Sequence, residues 1–292
     1  MEKKLFYENV LLIVLYDKHP KDSKTISSIL QNDSLYNTKV ILWNNGPSRI
    51  EIADAIAEFR QHGYLCDFIE TIENNSLAYI YNYVIANFSS KRYILLDHDS
   101  SLTTNYLQDL KLVETDQIGM PQIFFKRKLV NPCLDFLPYA ELNNRKSFSG
   151  PIMTIGSGLV IGRELIDKLE VNFQKVFDER FYLYGVDTTF CLRLYKASLS
   201  NSIVFIRGFE HSLSRLESET GLINEFRRKE RSCDLALRIR YYTPRTKWAK
   251  ELGRVFLSAL KKKILGIDQQ YDLKIFCTVF IKGKHLRDLN RF

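Results

Sequence analysis

The sequence predicts an α/β domain built on a mostly parallel central sheet with helices on both faces. Short apolar runs rich in β-branched residues alternate with amphipathic helical segments through the first two thirds of the chain. With 292 residues, 45% of them hydrophobic and 13% aromatic, the chain can fill one large core and carry an appendage. No internal repeat or low-complexity tract interrupts the pattern.

The elements follow in order. Val10–Tyr16 is a buried-strand run, closed at once by Asp17 and Lys18. It is too short to cross a bilayer or to serve as a signal segment, so a cytoplasmic protein is expected. Thr25–Leu30 reads as a helix and Lys39–Trp43 as the second strand, ended by the loop Asn45-Gly46-Pro47-Ser48. Ile50–Phe59 places Ile52, Ile56 and Phe59 on one helical face. Tyr64–Ile69 alternates as a third strand, and Leu77, Ile80, Tyr81, Val84 and Ile85 keep helical spacing. Tyr93–Leu96 is the fourth strand and runs straight into Asp97-His98-Asp99. Gln117–Phe125, Pro151–Ile161 and Ser202–Ile206 complete the strands, Asn131–Ser149 is a loop-rich connection, and Asp187–Lys196 is helical.

Charge divides the chain unevenly. Leu216–Phe292 holds 18 lysines and arginines against 9 acids, leaving 24 against 25 before it, so the net +8 is a C-terminal property. This places a soft boundary, with a catalytic domain over 1–215 and a basic, mainly helical region over 216–292. In that region Trp248, Leu252, Val255, Phe256, Ala259, Leu260 and Ile264 recur at helical spacing, with Lys247, Lys250, Arg254, Lys261 and Lys262 on other faces. Such a helix either lies on an anionic membrane or packs on the catalytic domain or a partner subunit. Nucleic acid is disfavoured, since the charge sits in an appendage and no nucleic-acid fold signature occurs.

Five scattered cysteines without C-x-x-C spacing fit free thiols better than zinc or a disulfide framework. Gly156-Ser157-Gly158 with Gly162 misses the dinucleotide-binding spacing and lies far from the first strand, and no P-loop occurs. Two carboxylates flanking one residue at a strand end can divide the work, one accepting from a ribose and the other binding Mn²⁺ or Mg²⁺. Phe177-Asp178-Glu179 through Asp187 opens a further helix. There Asp187 is either the helix N-cap or a general base, and the two roles are compatible.

Val10–Asp17, Trp43–Ser48, Asn74-Asn75-Ser76-Leu77-Ala78 with Asn82, Asp97-His98-Asp99, Gly156-Ser157-Gly158 and Phe177–Arg193 stand in an order that resembles family 2 glycosyltransferases of the GT-A fold, closest in look to bacterial rhamnosyltransferase-like members. The resemblance covers roughly Phe6 to Arg215. It implies transfer from a nucleotide-diphosphate sugar, with inversion, to a glycan or lipid-linked glycan hydroxyl in bacterial surface polysaccharide synthesis. On the substrate side it implies Tyr16, Asp17, Asn44, Asn45, Asn75, Asp97, His98, Gly156, Ser157, Gly158 and Glu179. It makes Asp99 and His211 metal ligands for Mn²⁺ or Mg²⁺, and Asp187 the catalytic base. The chain departs from the family by Asp17 where Asn is usual and Asn44 where Asp is usual. Two other classes compete: a nucleotidyltransferase on a similar sheet, which would release pyrophosphate, and a non-catalytic protein binding an anionic polymer. An oligomer is compatible with all three.

Overall fold

The computed structural model describes residues 5–135, 137–138, 150–211 and 221–289. The N-terminal half runs β1 (Phe6–Leu15), α1 (Lys24–Leu30), β2 (Thr38–Asn44), α2 (Ala53–Gln61), β3 (Leu65–Glu70), α3 (Leu77–Asn87), β4 (Ser89–Asp97) and α4 (Thr104–Asp109). There follow β5 (Ile118–Phe125), β6 (Lys128–Asn131), β7 (Cys133–Leu134), β8 (Leu137–Pro138), β9 (Val160–Gly162), α5 (Arg163–Phe173), α6 (Val186–Lys196) and β10 (Ile203–Glu210). The chain continues through α7 (Gly221–Tyr242), α8 (Trp248–Ile264), α9 (Leu273–Lys282) and α10 (Leu286–Leu289).

One sheet organises the molecule in the order β3-β2-β1-β4-β9-β5-β10, with β6 paired to β5. β1 lies parallel to β2 and β4, β2 to β3, and β5 to β10, while β9 runs antiparallel between β4 and β5. The continuous apolar runs are explained by burial on both faces. Along β1, Val10, Leu12 and Val14 enter one apolar layer while Leu11, Ile13 and Leu15 enter the other. The second layer rests on α1, α2 and α4. The first rests on α3, α5 and α6, and takes in Cys233, Ala236, Leu237 and Ile239 of α7 with Phe276 and Val279 of α9. The C-terminal helices therefore share the core of the sheet.

The strand expected over Pro151–Ile161 is confined to Val160–Gly162. The residues before it cross the end of β4 as a loop, in which the Gly158 N–H reaches the Leu95 carbonyl at 2.6 Å. Helices α4 and α5 were not anticipated; α5 shows its register in buried Leu165, Ile166 and Leu169. The connection expected over Asn131–Ser149 contains the short strands β7 and β8, and 136 and 139–149 of it lie outside the described residues. The apolar stripe of α8 divides: Trp248, Leu252 and Val255 pack on the core, whereas Phe256, Leu260 and Ile264 stay exposed. No described helix is long and apolar enough to cross a membrane.

Candidate active site

Register brings the predicted nucleotide-side residues to one carboxyl edge of the sheet. Val14 pairs with Asp97, Leu15 with Asn44, and Asn44 with Glu70, so Tyr16 and Asp17 leave β1 beside the ends of β2 and β4. Ligands of open α/β sheets collect at such edges. Asp17 takes a left-handed backbone (φ 47°) and its N–H binds the Gly46 carbonyl at 2.8 Å, which joins the two strand-end loops. Tyr16 and Asp17 are exposed.

Asn44 and Asn45, expected on the substrate side, also hold the loop after β2 together. The buried Asn44 amide donates to the Ser48 carbonyl and to Glu70 Oε2 at 2.7 and 2.9 Å, and its oxygen accepts from the Gly46 N–H. Asn45 accepts from Thr71 Oγ1 and the Asn75 N–H at 3.1 and 2.8 Å, and donates to the Asn75 carbonyl at 2.9 Å. Buried amides hydrogen-bonded in this way fix the shape of the loop. Asn75 is held there through its backbone.

The turn after β4 is built from parts far away in sequence. Ser23, the N-cap of α1, donates to the His98 carbonyl at 2.8 Å. The Thr25 hydroxyl donates to the Asp97 carbonyl and accepts from the Ser100 N–H. Ser157 Oγ accepts from the Asp97 N–H at 3.1 Å and meets Ser100 Oγ at 2.8 Å, and Ser100 Oγ meets His211 Nδ1 at 3.1 Å. A chain of hydroxyls thus runs from the backbone of the acidic turn to the imidazole. None of Ser23, Thr25 or Ser100 was singled out in the sequence, where only their suitability as caps and turn residues is visible.

His211 reaches this turn because β10 is kinked. The β5–β10 register shifts between Ile206 and Phe209, and Ser101 bridges to Glu210 beyond the bulge. Gly208 sits in the bulge, where a Cβ would stand 1.6 Å from the Gln122 carbonyl oxygen, and its own carbonyl accepts from Thr103 Oγ1 at 2.9 Å. Bulges beside functional sites re-aim a side chain in this way. Gly208→Ala is expected to lower stability by about 2–3 kcal/mol, through forced displacement of β5 or β10. Thermal unfolding checks this; a melting temperature equal to wild type would show that the bulge relaxes freely.

Asp97, Asp99 and His211 each offer a ligand atom, all within 4.8 Å of one another. His211 Nδ1 lies 3.6 Å from Asp99 Oδ1 and Nε2 lies 3.9 Å from Asp97 Oδ2. The imidazole is buried and the carboxylates are partly exposed. Burial, followed by repulsion from Asp99, pushes the Asp97 carboxyl up to about 7; His98 opposes the shift and Asp187 adds to it. Acidic groups packed this closely favour a divalent cation among them, and the two-carboxylate, one-imidazole set fits Mn²⁺.

The charge of Asp187 is felt at Asp97 and at the buried Tyr81. Burial, then Asp97 and Asp187, hold the Tyr81 hydroxyl well above the usual phenol range. The Tyr81 oxygen stands 3.4 Å from where a Gly156 Cβ would be, which places Gly156 over the phenol. Asp187 is not the N-cap that the sequence allowed. Gly185 takes that position with φ 87°, and Asp187, one residue inside α6, accepts from the Thr188 N–H at 2.8 Å. Arg238 of α7 feels the charge of Asp187 after that of its own partner Asp234.

Glu179 is held by neighbours of its own. It accepts from Asn82 Nδ2 at 3.1 Å, pairs with Lys175 at 2.5 Å, and lines a separate 650 Å³ cavity containing none of Asp97, Asp99 and Asp187. Its neighbour Asp178 anchors the loop that delivers Asp187, through Arg180 at 2.5 Å, Arg193 at 3.2 Å and the Tyr242 hydroxyl at 2.8 Å. Burial alone would raise the Asp178 carboxyl, but Arg180 and then Arg193 outweigh it and hold it below its ordinary value. A depressed carboxylate contributes stability above its unfolded pKa and loses it as pH falls through the folded one. Asp178→Asn is therefore expected to cost about 3 kcal/mol at neutral pH, a penalty that shrinks below about pH 4. Urea unfolding at both pH values reads the difference; a penalty that persists undiminished in acid would refute the ion-pair origin.

No protein-family model matches the chain, and no curated protein matches it by sequence. Solved structures do match its fold. GalNAc-T7 with UDP, GalNAc and Mn²⁺ aligns with a TM-score of 0.52 at 11% identity, over 80% of this chain and 51% of that one. The mannosyltransferase PcManGT from Pyrobaculum calidifontis, in complex with GDP-Man and Mn²⁺, aligns at 0.51 with 14% identity, over 80% and 63% of the two chains. S. aureus TarS 1-349 in complex with UDP-GlcNAc gives 0.50 at 12% identity, over 84% and 69%. The chain has the GT-A fold of these glycosyltransferases, and it spans about half the length of GalNAc-T7.

Proposed function

We propose that this chain is a metal-dependent glycosyltransferase that moves a sugar, with inversion, from a nucleotide-diphosphate sugar to a hydroxyl of a glycan or lipid-linked glycan. The observation that carries the reading is the convergence of Asp97, Asp99 and His211 at the carboxyl edge of a GT-A sheet, with Asp187 acting on the same group. The presence of Mn²⁺ in two structures of like fold, one with UDP and GalNAc and one with GDP-Man, supports it.

Asp99 and His211 would hold Mn²⁺ or Mg²⁺ with Asp97 beside them, and the imidazole favours Mn²⁺ over the oxygen-seeking Mg²⁺. Such an ion supplies charge neutralisation for a leaving diphosphate. The protein supplies the rest. Tyr16 and Asp17 border the nucleotide. Asp97 and His98 flank it from β4, and the Gly156-Ser157-Gly158 loop lies beneath the sugar, with the Ser157 hydroxyl engaged by the Asp97 N–H and Ser100. Asp187 takes the proton of the acceptor hydroxyl as its oxygen bonds to the anomeric carbon. The bond from that carbon to the diphosphate oxygen breaks with its electron pair, and the nucleoside diphosphate departs.

A thermal-shift panel of nucleoside diphosphates and nucleotide-sugars, with and without Mn²⁺, tests the reading. Stabilisation by one nucleotide series that requires Mn²⁺ is expected, with the nucleoside diphosphate as product. Stabilisation by a triphosphate with release of pyrophosphate would establish the nucleotidyltransferase instead.

A further inference from the structure

We propose that α8 and the turn after it form a docking face for an anionic bilayer surface. The inner side of α8 is fixed by packing. Trp248, Leu252 and Val255 lie on the core, the Trp248 ring stands 5.0 Å from Phe280, and Phe256 meets the edge of Phe276 at 6.4 Å. At about 100° per residue from Trp248, Phe256, Leu260, Ile264 and Leu257 then occupy a second sector, from about 80° to 180°.

That sector is open. Leu257 is 68% exposed, Leu260 54% and Ile264 74%, and the chain goes on with Leu265 at 57% and Ile267 at 52%. A contiguous apolar strip of this kind marks an interaction surface. Cations border it on both sides. Lys250, Arg254 and Lys261 fall at about 200–240° and Lys263 at about 60°. Glu251 is the single acid of α8, and it is paired with Arg254 at 2.8 Å.

The charge pattern selects the occupant. In a two-fold dimer through this strip each lysine flank would face lysines of the other copy, with Glu251 already paired to Arg254 and Asp268 the one acid of the turn to receive them. An anionic lipid surface meets both requirements at once: headgroups neutralise the flanks while the apolar sector enters the acyl boundary. The helix then lies in the plane of the interface, in keeping with a chain whose described helices are none of them fit to cross.

Co-sedimentation with vesicles tests this without any sugar substrate, so its outcome is separate from that of the transferase reading. Wild type is expected to pellet with vesicles of equal parts phosphatidylglycerol and phosphatidylcholine, and to stay in solution with phosphatidylcholine alone. Leu257→Ser with Ile264→Ser, and separately Lys261→Ser with Lys263→Ser, are each expected to weaken partitioning about tenfold or more. These side chains are exposed, so the melting temperature should not move. Wild type that remains in solution with the anionic vesicles overturns the proposal. So does a dimer in buffer, seen by sedimentation velocity, that Leu257→Asp dissociates.

Discussion

Replacing Asp187 by alanine or by asparagine is expected to lower sugar transfer by about a thousandfold or more, while Mn²⁺-dependent nucleotide binding is retained. The two variants separate chemistry from structure. Asp187 stands in the first turn of α6 and its carboxylate accepts from the Thr188 N–H. An acid there interacts favourably with the helix dipole, so alanine costs up to about 1 kcal/mol of stability. Asparagine keeps an acceptor for Thr188 but cannot take a proton. Equal loss of turnover in both variants, with nearly unchanged melting for asparagine, would place the defect in proton removal. The proposed donor side, at the ends of β1 and β4, does not include Asp187, so KM for the nucleotide-sugar should change little while kcat collapses. Near-normal turnover in either variant would remove Asp187 from the mechanism.

The sequence makes some of this arrangement plain and hides the rest for a physical reason. Apolar runs buried on both faces announce the strands, and Asp97-His98-Asp99 announces itself because polar acids directly follow such a run. The fold class needs nothing more. What the sequence does not display is pairing across distance. Ser100 is linked to Ser157 and to His211 across 57 and 111 residues, and no local pattern predicts those bonds. The same blindness affects Asn44, Asn45 and Glu179. Position in the chain marks them as candidates, but it does not display the partners that their polar atoms meet, Glu70, Thr71, Asn75, Asn82 and Lys175. Gly208 is similarly opaque: a lone glycine near a strand end signals a bulge only when the neighbouring strand is known. Tyr81 reads from periodicity as a core residue of α3, and it is buried, yet its hydroxyl lies beside Gly156 and feels the charges of Asp97 and Asp187.

Asp99→Ala separates a metal site from an incidental acidic cluster, and it is expected to abolish Mn²⁺-induced stabilisation and reduce transfer by about a thousandfold or more. Its effect on the metal-free protein should be small. Asp99 is the largest electrostatic cause of the upward shift at Asp97, so folding brings together like charges that the unfolded chain keeps apart. Removing one of them relieves that repulsion and also removes the contact with His211, so the metal-free variant should melt near the wild-type temperature. Ser157→Ala provides the graded control. Ser157 touches the Asp97 backbone and Ser100 without offering a ligand itself, and loss of such support weakens metal affinity by about 10–100-fold. Retention of the Mn²⁺ shift in Asp99→Ala would mean that the ion is held elsewhere. A metal-free variant markedly less stable than wild type would mean that Asp99, which also stands 3.6 Å from His211 Nδ1, serves the fold as well as the ion.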